Sequence, residues 1–301
     1  MEFLKTIKRR SFLNEAIYVT LNIGLAILLM IIIRTTDSIW FAFALVLIGK
    51  WRIFAVRPRF WLANIQTNLV NIIVSISFVV LLYAANSADA SNLQILIVQI
   101  LLVMLDIGWM LLLKSQSKRV YIVAQAGIAL FFGITAIFTL SYGWLASPVV
   151  LLTWLVGYAT ARHVLGSYDE ESHTSLLSLA WGLGVAEISW LAYHLTIGYQ
   201  LPLISNMLLP QVSIILLCFG FLAYKIYDSY YHHQIIRFND IFLPLIFTIN
   251  IIAVLMLFFN KPTSIDDNIN VWLLLATLIV MFIIEGAVYL AVNQKLFAQK
   301  R

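Results

Sequence analysis

The 301-residue chain contains one cysteine and few charges. Cys218 lies inside an apolar run, so no intrachain disulfide can form and the redox compartment cannot be read from it. A buried structural thiol is the expectation there. Charged residues make up 11% of the chain against 62% hydrophobic, and the mean hydropathy of +0.94 is too high for a water-soluble domain. No stretch between apolar runs is long enough to hold a soluble catalytic or nucleotide-hydrolysing domain. The chain also lacks a phosphate-binding P-loop, a paired D-D-x-x-D motif and a G-x-S-x-G nucleophile turn, which argues against ATP-driven pumping, prenyl transfer and serine hydrolysis. Gly182-Leu183-Gly184 is not a dinucleotide loop, because it has no third glycine and sits within an apolar run.

Apolar runs occupy the rest. About 20 apolar residues cross a ~30 Å hydrocarbon core as a helix. Ten such runs lie near residues 14–33, 38–56, 61–85, 93–113, 120–140, 148–165, 174–197, 207–227, 240–259 and 271–292. The expected fold is an all-α polytopic transmembrane helical bundle of about ten spans, forming a single integral membrane domain over residues 1–301.

The charge distribution supplies an orientation. The formal charge of +5 and pI of 9.3 would suggest a nucleic-acid partner in a soluble protein. Here the basic residues sit in short strips between spans, where they set topology and meet anionic lipid headgroups. No nucleic-acid partner is expected. When the ten runs are threaded in order, all 19 Lys and Arg residues except Arg34 and Lys261 fall on one side. Short loops rich in Lys and Arg stay in the cytoplasm, so both termini are placed inside, in the cytoplasmic membrane of the cell. The first run follows Lys5, Lys8, Arg9 and Arg10 as a secretory signal would, but it is long and ends in Arg34-Thr35-Thr36-Asp37 without a small-residue cleavage pattern, so it reads as a retained span. Tryptophans near run ends, such as Trp40, Trp61, Trp109, Trp144 and Trp272, fit interfacial belts. Ala129 with Gly133, Gly157 with Ala161 and Gly182 with Ala186 have the spacing that lets helix backbones approach.

A weak parallel repeat is suggested between residues 50–113 and 224–292. Asn71-Ile72-Ile73 matches Asn250-Ile251-Ile252, and the same offset aligns Asp106 with Glu285.

Two groups of residues are candidates for function. The first consists of the deepest carboxylates, Asp106, Glu187 and Glu285. A charged group at the bilayer centre costs roughly 2.5–3.5 kcal/mol on insertion scales and so needs a partner or a wet cavity. His194 lies two helical turns beyond Glu187 on about the same face, roughly 10 Å along the axis. Asn22, Asn68, Asn71, Gln99, Gln125 and Asn250 are candidates to complete a polar interior. The second group faces the cytoplasm and contains Arg162, His163, Glu170, His173 and His232. Glu170 and His173 form an E-x-x-H pair that puts both side chains on one side of a helix, and Asp228 could add a ligand to a zinc or iron site. There are no repeated histidine boxes, so whether a metal is bound is left open and no cofactor is expected. Arg162 with His163 would equally suit an anionic lipid or phosphate.

The leading expectation is a secondary transporter or channel-like protein for a small solute, with a central polar cavity lined by Glu187, His194, Asp106 and Glu285. One alternative is a membrane-embedded enzyme acting on a lipid or anionic substrate at the cytoplasmic face. The other is a non-catalytic scaffold or partner subunit. The orientation makes a direct prediction: a fluorescent-protein fusion at the C-terminus is bright, whereas an alkaline-phosphatase fusion there is inactive. The reverse pattern would invert the topology.

Overall fold

The computed structural model describes residues 2–141, 143–168, 171–195, 198–201 and 204–258, together with residues 276 and 280. Among the described residues the chain forms α1 (Glu2–Thr36), α2 (Ile39–Gly49), α3 (Trp61–Asn86), α4 (Asn92–Gly108), α5 (Arg119–Leu140), α6 (Ala146–Leu165), α7 (Thr174–Leu195), α8 (Gln211–His233) and α9 (Phe238–Phe258). All but α2 contain a stretch long and apolar enough to cross a membrane, eight in all. The tenth predicted run, near 271–292, lies outside the described residues, apart from Ala276 and Val280, as does the end of the second half of the suggested repeat.

Two boundaries differ from the hydropathy reading. The run near 38–56 is helical only to Gly49. The Lys50 amide closes the helix on the carbonyls of Val46 and Leu47, and 3-10 turns at Trp51–Ile53 and Pro58–Phe60 follow. Pro58 disfavours a helical conformation at the residue before it, and Arg57 is extended at ψ 139°. The run near 207–227 begins as helix only at Gln211. Residues before it form an antiparallel hairpin in which β1 (Gly198–Leu201) pairs with β2 (Ile204–Pro210). Hydropathy joins Leu208 and Leu209 to the helix that follows. Pro210, which has no amide to donate, sits where the strand becomes a helix.

Contacts between helix ends show that successive helices alternate in direction. At one end, Asn86 Nδ2 donates to Asp37 Oδ1 at 2.9 Å, Arg34 donates to Gln99 Oε1 at 3.4 Å, and the Tyr193 hydroxyl donates to the Trp144 carbonyl. At the other end, Asn64 donates to the Ile53 carbonyl at 2.7 Å, His163 bonds Gln125 at 2.7 Å and Arg119 faces Asp228 at 3.7 Å. This second end carries Lys50, Lys114, Lys118, Arg119, Arg162, Lys225 and Arg237 and is termed the basic end.

Helix α3 runs through the core, with Val74, Val79 and Ala85 fully enclosed. Small residues set the closest approaches, as their spacing suggests. A Cβ at Gly133 would lie 3.0 Å from both Ile73 and Val156 side chains. At Gly157 it would lie 2.8 Å from Val185 Cβ and 3.1 Å from Gly182 Cα, so α6 and α7 touch backbone to backbone. Gly157→Val is therefore expected to destabilise the bundle by about 1–3 kcal/mol through overpacking. Gly184→Ala, whose new methyl would meet nothing within 4 Å, is expected to cause no loss of thermal stability in detergent.

Candidate functional site

A cavity of about 1030 Å³ opens between α5, α6, α7, α8 and α9. Its walls are apolar because each helix turns small and aliphatic residues toward it, among them Ala126, Gly127, Ala180 and Ala223. Among the described residues, no Asp, Glu, Lys, Arg or His side chain lines it. The polar atoms that do are few. The Thr160 hydroxyl already donates to the carbonyls of its own helix, at 2.9 Å to Gly157 and 3.0 Å to Val156. Cys218, Trp181, Tyr224 and Tyr227 complete the polar set.

A reciprocal clasp closes the structure near the basic end. The loop after α6 contributes Tyr168 and Glu171, and α8 contributes Tyr227 and Asp228. Tyr168 donates its hydroxyl to Asp228 Oδ1 at 2.9 Å, and Tyr227 donates its hydroxyl to Glu171 Oε2. Each element thus supplies one tyrosine and one carboxylate. Arg119, at the start of α5, joins the first pair: its guanidinium carbon lies 4.1 Å from the Tyr168 ring centre and 5.8 Å from that of Tyr231, a cation–π arrangement. The rings of Tyr168, Tyr227 and Tyr231 pack together at 4.7–4.9 Å about Tyr168. Burial, followed by the hydrogen bond to Asp228, raises the Tyr168 phenol above its ordinary range. The Tyr227 hydroxyl, then the His173 amide, hold the Glu171 carboxyl below its ordinary value.

The expected site residues occupy separate places. Glu187 and His194 share a face of α7, as their spacing requires, but both are exposed on the outside of the bundle, where His194 packs edge-on to Trp190 at 4.9 Å. Asp106 is half-buried in α4, one turn before a π-helical turn at Trp109–Leu113 and within electrostatic reach of Lys50 and Lys114. Glu285 and Glu170 lie outside the described residues. Arg162 donates to the Tyr158 hydroxyl at 2.7 Å and to Ser175 Oγ at 3.3 Å. His173 is exposed, and its amide donates to Glu171. His232 Nδ1 lies 2.8 Å from the Asp228 carbonyl. Arg162, His163, His173 and His232 each make separate local contacts, and no group of three or more His, Cys, Asp or Glu is placed to hold a metal among the described residues.

Two of the polar residues expected to fill the interior, Gln99 and Gln125, bond groups near the two ends instead. Gln99 is fully buried beside Arg34 and Asn86. Gln125 Nε2 donates to the Leu113 and Gln116 carbonyls at 2.6 and 3.0 Å, which leaves its Oε1 as acceptor for His163. The histidine proton is therefore on Nε2. The cavity and clasp were not among the expected sites. Tyr224, Tyr227, Asp228 and Tyr231 recur at helical spacing on α8, a signal present in the sequence, but their partners across the α6–α7 loop have no spacing signature.

Comparison with known protein families, characterised proteins and solved structures yields no match to this chain.

The clasp predicts a pH dependence. Because the Glu171 pKa is lowered in the folded state, its contribution is full above the ordinary carboxylate value of 4.5 and is lost as pH falls through the lower folded value. Thermal melts should thus separate wild type from Tyr227→Phe at neutral pH and draw together progressively as pH falls below 4.5. A separation that stays constant with pH would assign the bond no role in stability.

Proposed function

We propose that this multi-pass membrane protein binds, and as a carrier moves, a hydrophobic or amphipathic molecule held in the cavity between α5 and α9. The single observation that carries this reading is the cavity itself: about 1030 Å³, apolar, and walled by helices long and apolar enough to cross a membrane. Ligand pockets are concave, mostly apolar and provided with a few polar groups, and their volumes reach this range. Among the described residues, a tightly filled scaffold would not show such a space, because its walls forfeit dispersion contacts.

The cavity favours an apolar cargo over the small polar solute expected from the intramembrane carboxylates. A polar solute would have to leave its hydration shell for walls that offer almost no hydrogen bonds. Glu187 and His194 stand outside the cavity, so they do not supply them. A reaction at the basic end is supported less well, since the basic and imidazole groups there are engaged in separate local bonds. We place the basic end in the cytoplasm of a cytoplasmic membrane, on the distribution of Lys and Arg and their affinity for anionic headgroups.

Cys218 provides a test, being the sole cysteine and a cavity-lining residue. Alkylation of Cys218 by N-ethylmaleimide in purified protein is expected to slow several-fold when the cavity is saturated with a long-chain amphiphile, and also in Ala223→Phe, which fills the same space. Labelling rates insensitive to both would reject the reading.

A further inference from the structure

The walls of the cavity also bear on the head of its ligand, an inference that rests on the binding reading above. Tyr224 lines the cavity near the basic end, and its hydroxyl makes no hydrogen bond among the described residues, whereas the neighbouring Tyr227 hydroxyl is committed to Glu171. Its position is fixed by α8 and by proximity to the clasp, within electrostatic reach of Asp228 and Arg119. A half-buried phenol in a mostly apolar wall, with no hydrogen bond among the described residues, has both a donor and an acceptor to offer a ligand. A ligand oxygen that reaches this hydroxyl gains one hydrogen bond that the cavity wall does not itself use.

The charges nearby are already engaged. Arg119 is held by Asp228 and the Tyr168 ring, and Asp228 also accepts from Tyr168. Lys225 places its ammonium 5.4 Å from the Tyr224 ring centre and 5.9 Å from that of Phe221, but it is not a cavity-lining residue. A carboxylate, phosphate or ammonium group inside the cavity would therefore lose its hydration without a facing counter-charge. An uncharged head of one or two hydrogen-bonding atoms would lose little and gain the Tyr224 bond.

We infer that the ligand is an uncharged long-chain amphiphile with a hydroxyl or carbonyl head, that this head is bound by the Tyr224 hydroxyl, and that the chain lies along the apolar walls between α5, α7 and α8. Tyr224 selects by hydrogen bonding, and the lack of facing charge selects against ionised amphiphiles.

The experiment measures protection of Cys218 from N-ethylmaleimide in the purified full-length protein, with four probes of equal chain length: hexadecanol, hexadecane, palmitate and hexadecyltrimethylammonium. Hexadecanol is expected to protect at the lowest concentration. Tyr224→Phe should raise that concentration about fivefold, the value of one hydrogen bond, while leaving protection by hexadecane unchanged. The unchanged hexadecane value shows that the variant is folded. If hexadecane protects as well as hexadecanol and Tyr224→Phe alters neither, or if palmitate or the quaternary ammonium matches hexadecanol, the head-group assignment is overturned while the cavity still binds chains. If none of the four protects, the binding reading fails, and the inference with it.

Discussion

In hydrocarbon a polar group has no water to turn to, so each must find its partner within the protein. Much of this structure follows from that constraint. Thr135, Thr160, Ser77 and Ser178 return their hydroxyl protons to a carbonyl one turn back on their own helix. Few of the polar bonds among the described residues join helices away from their ends: the Thr135 and Ser213 hydroxyls meet at 2.9 Å between α5 and α8, and Thr248 donates to the Cys218 carbonyl at 3.4 Å between α9 and α8. Among the described residues two buried side-chain atoms escape the rule, Trp109 Nε1 and Ser189 Oγ. Each such orphan costs about 1–3 kcal/mol. With its hydroxyls turned inward to their own backbones, the bundle presents mainly hydrocarbon to any space between its helices.

The same constraint sends stronger polar groups to the two ends. At the basic end, cations, carboxylates and phenols satisfy one another across chain connections, and the clasp ties the α6–α7 loop to α8. At the opposite end, Arg34, Asp37, Asn86 and Gln99 share a smaller network. Glu187 departs from this pattern. Its exposure on α7 places a carboxylate among Leu183, Trp190 and Leu191, which are also exposed. Of the carboxylates expected in the interior, Asp106 keeps cations within reach, whereas Glu187 looks outward.

Hydropathy located the helices well because length and apolar content are what a span needs. It failed where two different backbones share one composition. The β1–β2 hairpin ends in Leu208-Leu209-Pro210, and an average over a window cannot distinguish those leucines from the ones that open α8. The helix-packing glycines were legible, since Gly157 and Gly182 have one physical use at that spacing. The site was much less so. Tyr224 to Tyr231 carry a helical period, but neither the cavity nor the pairing of Tyr227 with Glu171 can be read from one strand of sequence, because both arise where separate helices face each other. The direction in which Glu187 points depends on the rotation of α7, which Gly157 and Val185 fix through packing.

That contact between α6 and α7 has a mechanical consequence. Two helices joined at Gly157 and Gly182, with Trp154 packed over the seam, have no slack to slide or part, and so behave as one stiff wall. The α6–α7 loop is pinned to α8 at the basic end, so this wall is tethered there. If the cavity admits a molecule, as proposed above, α6 and α7 would move as a pair, and the resistance to that motion would come from the lipid beside them rather than from a seam that slides.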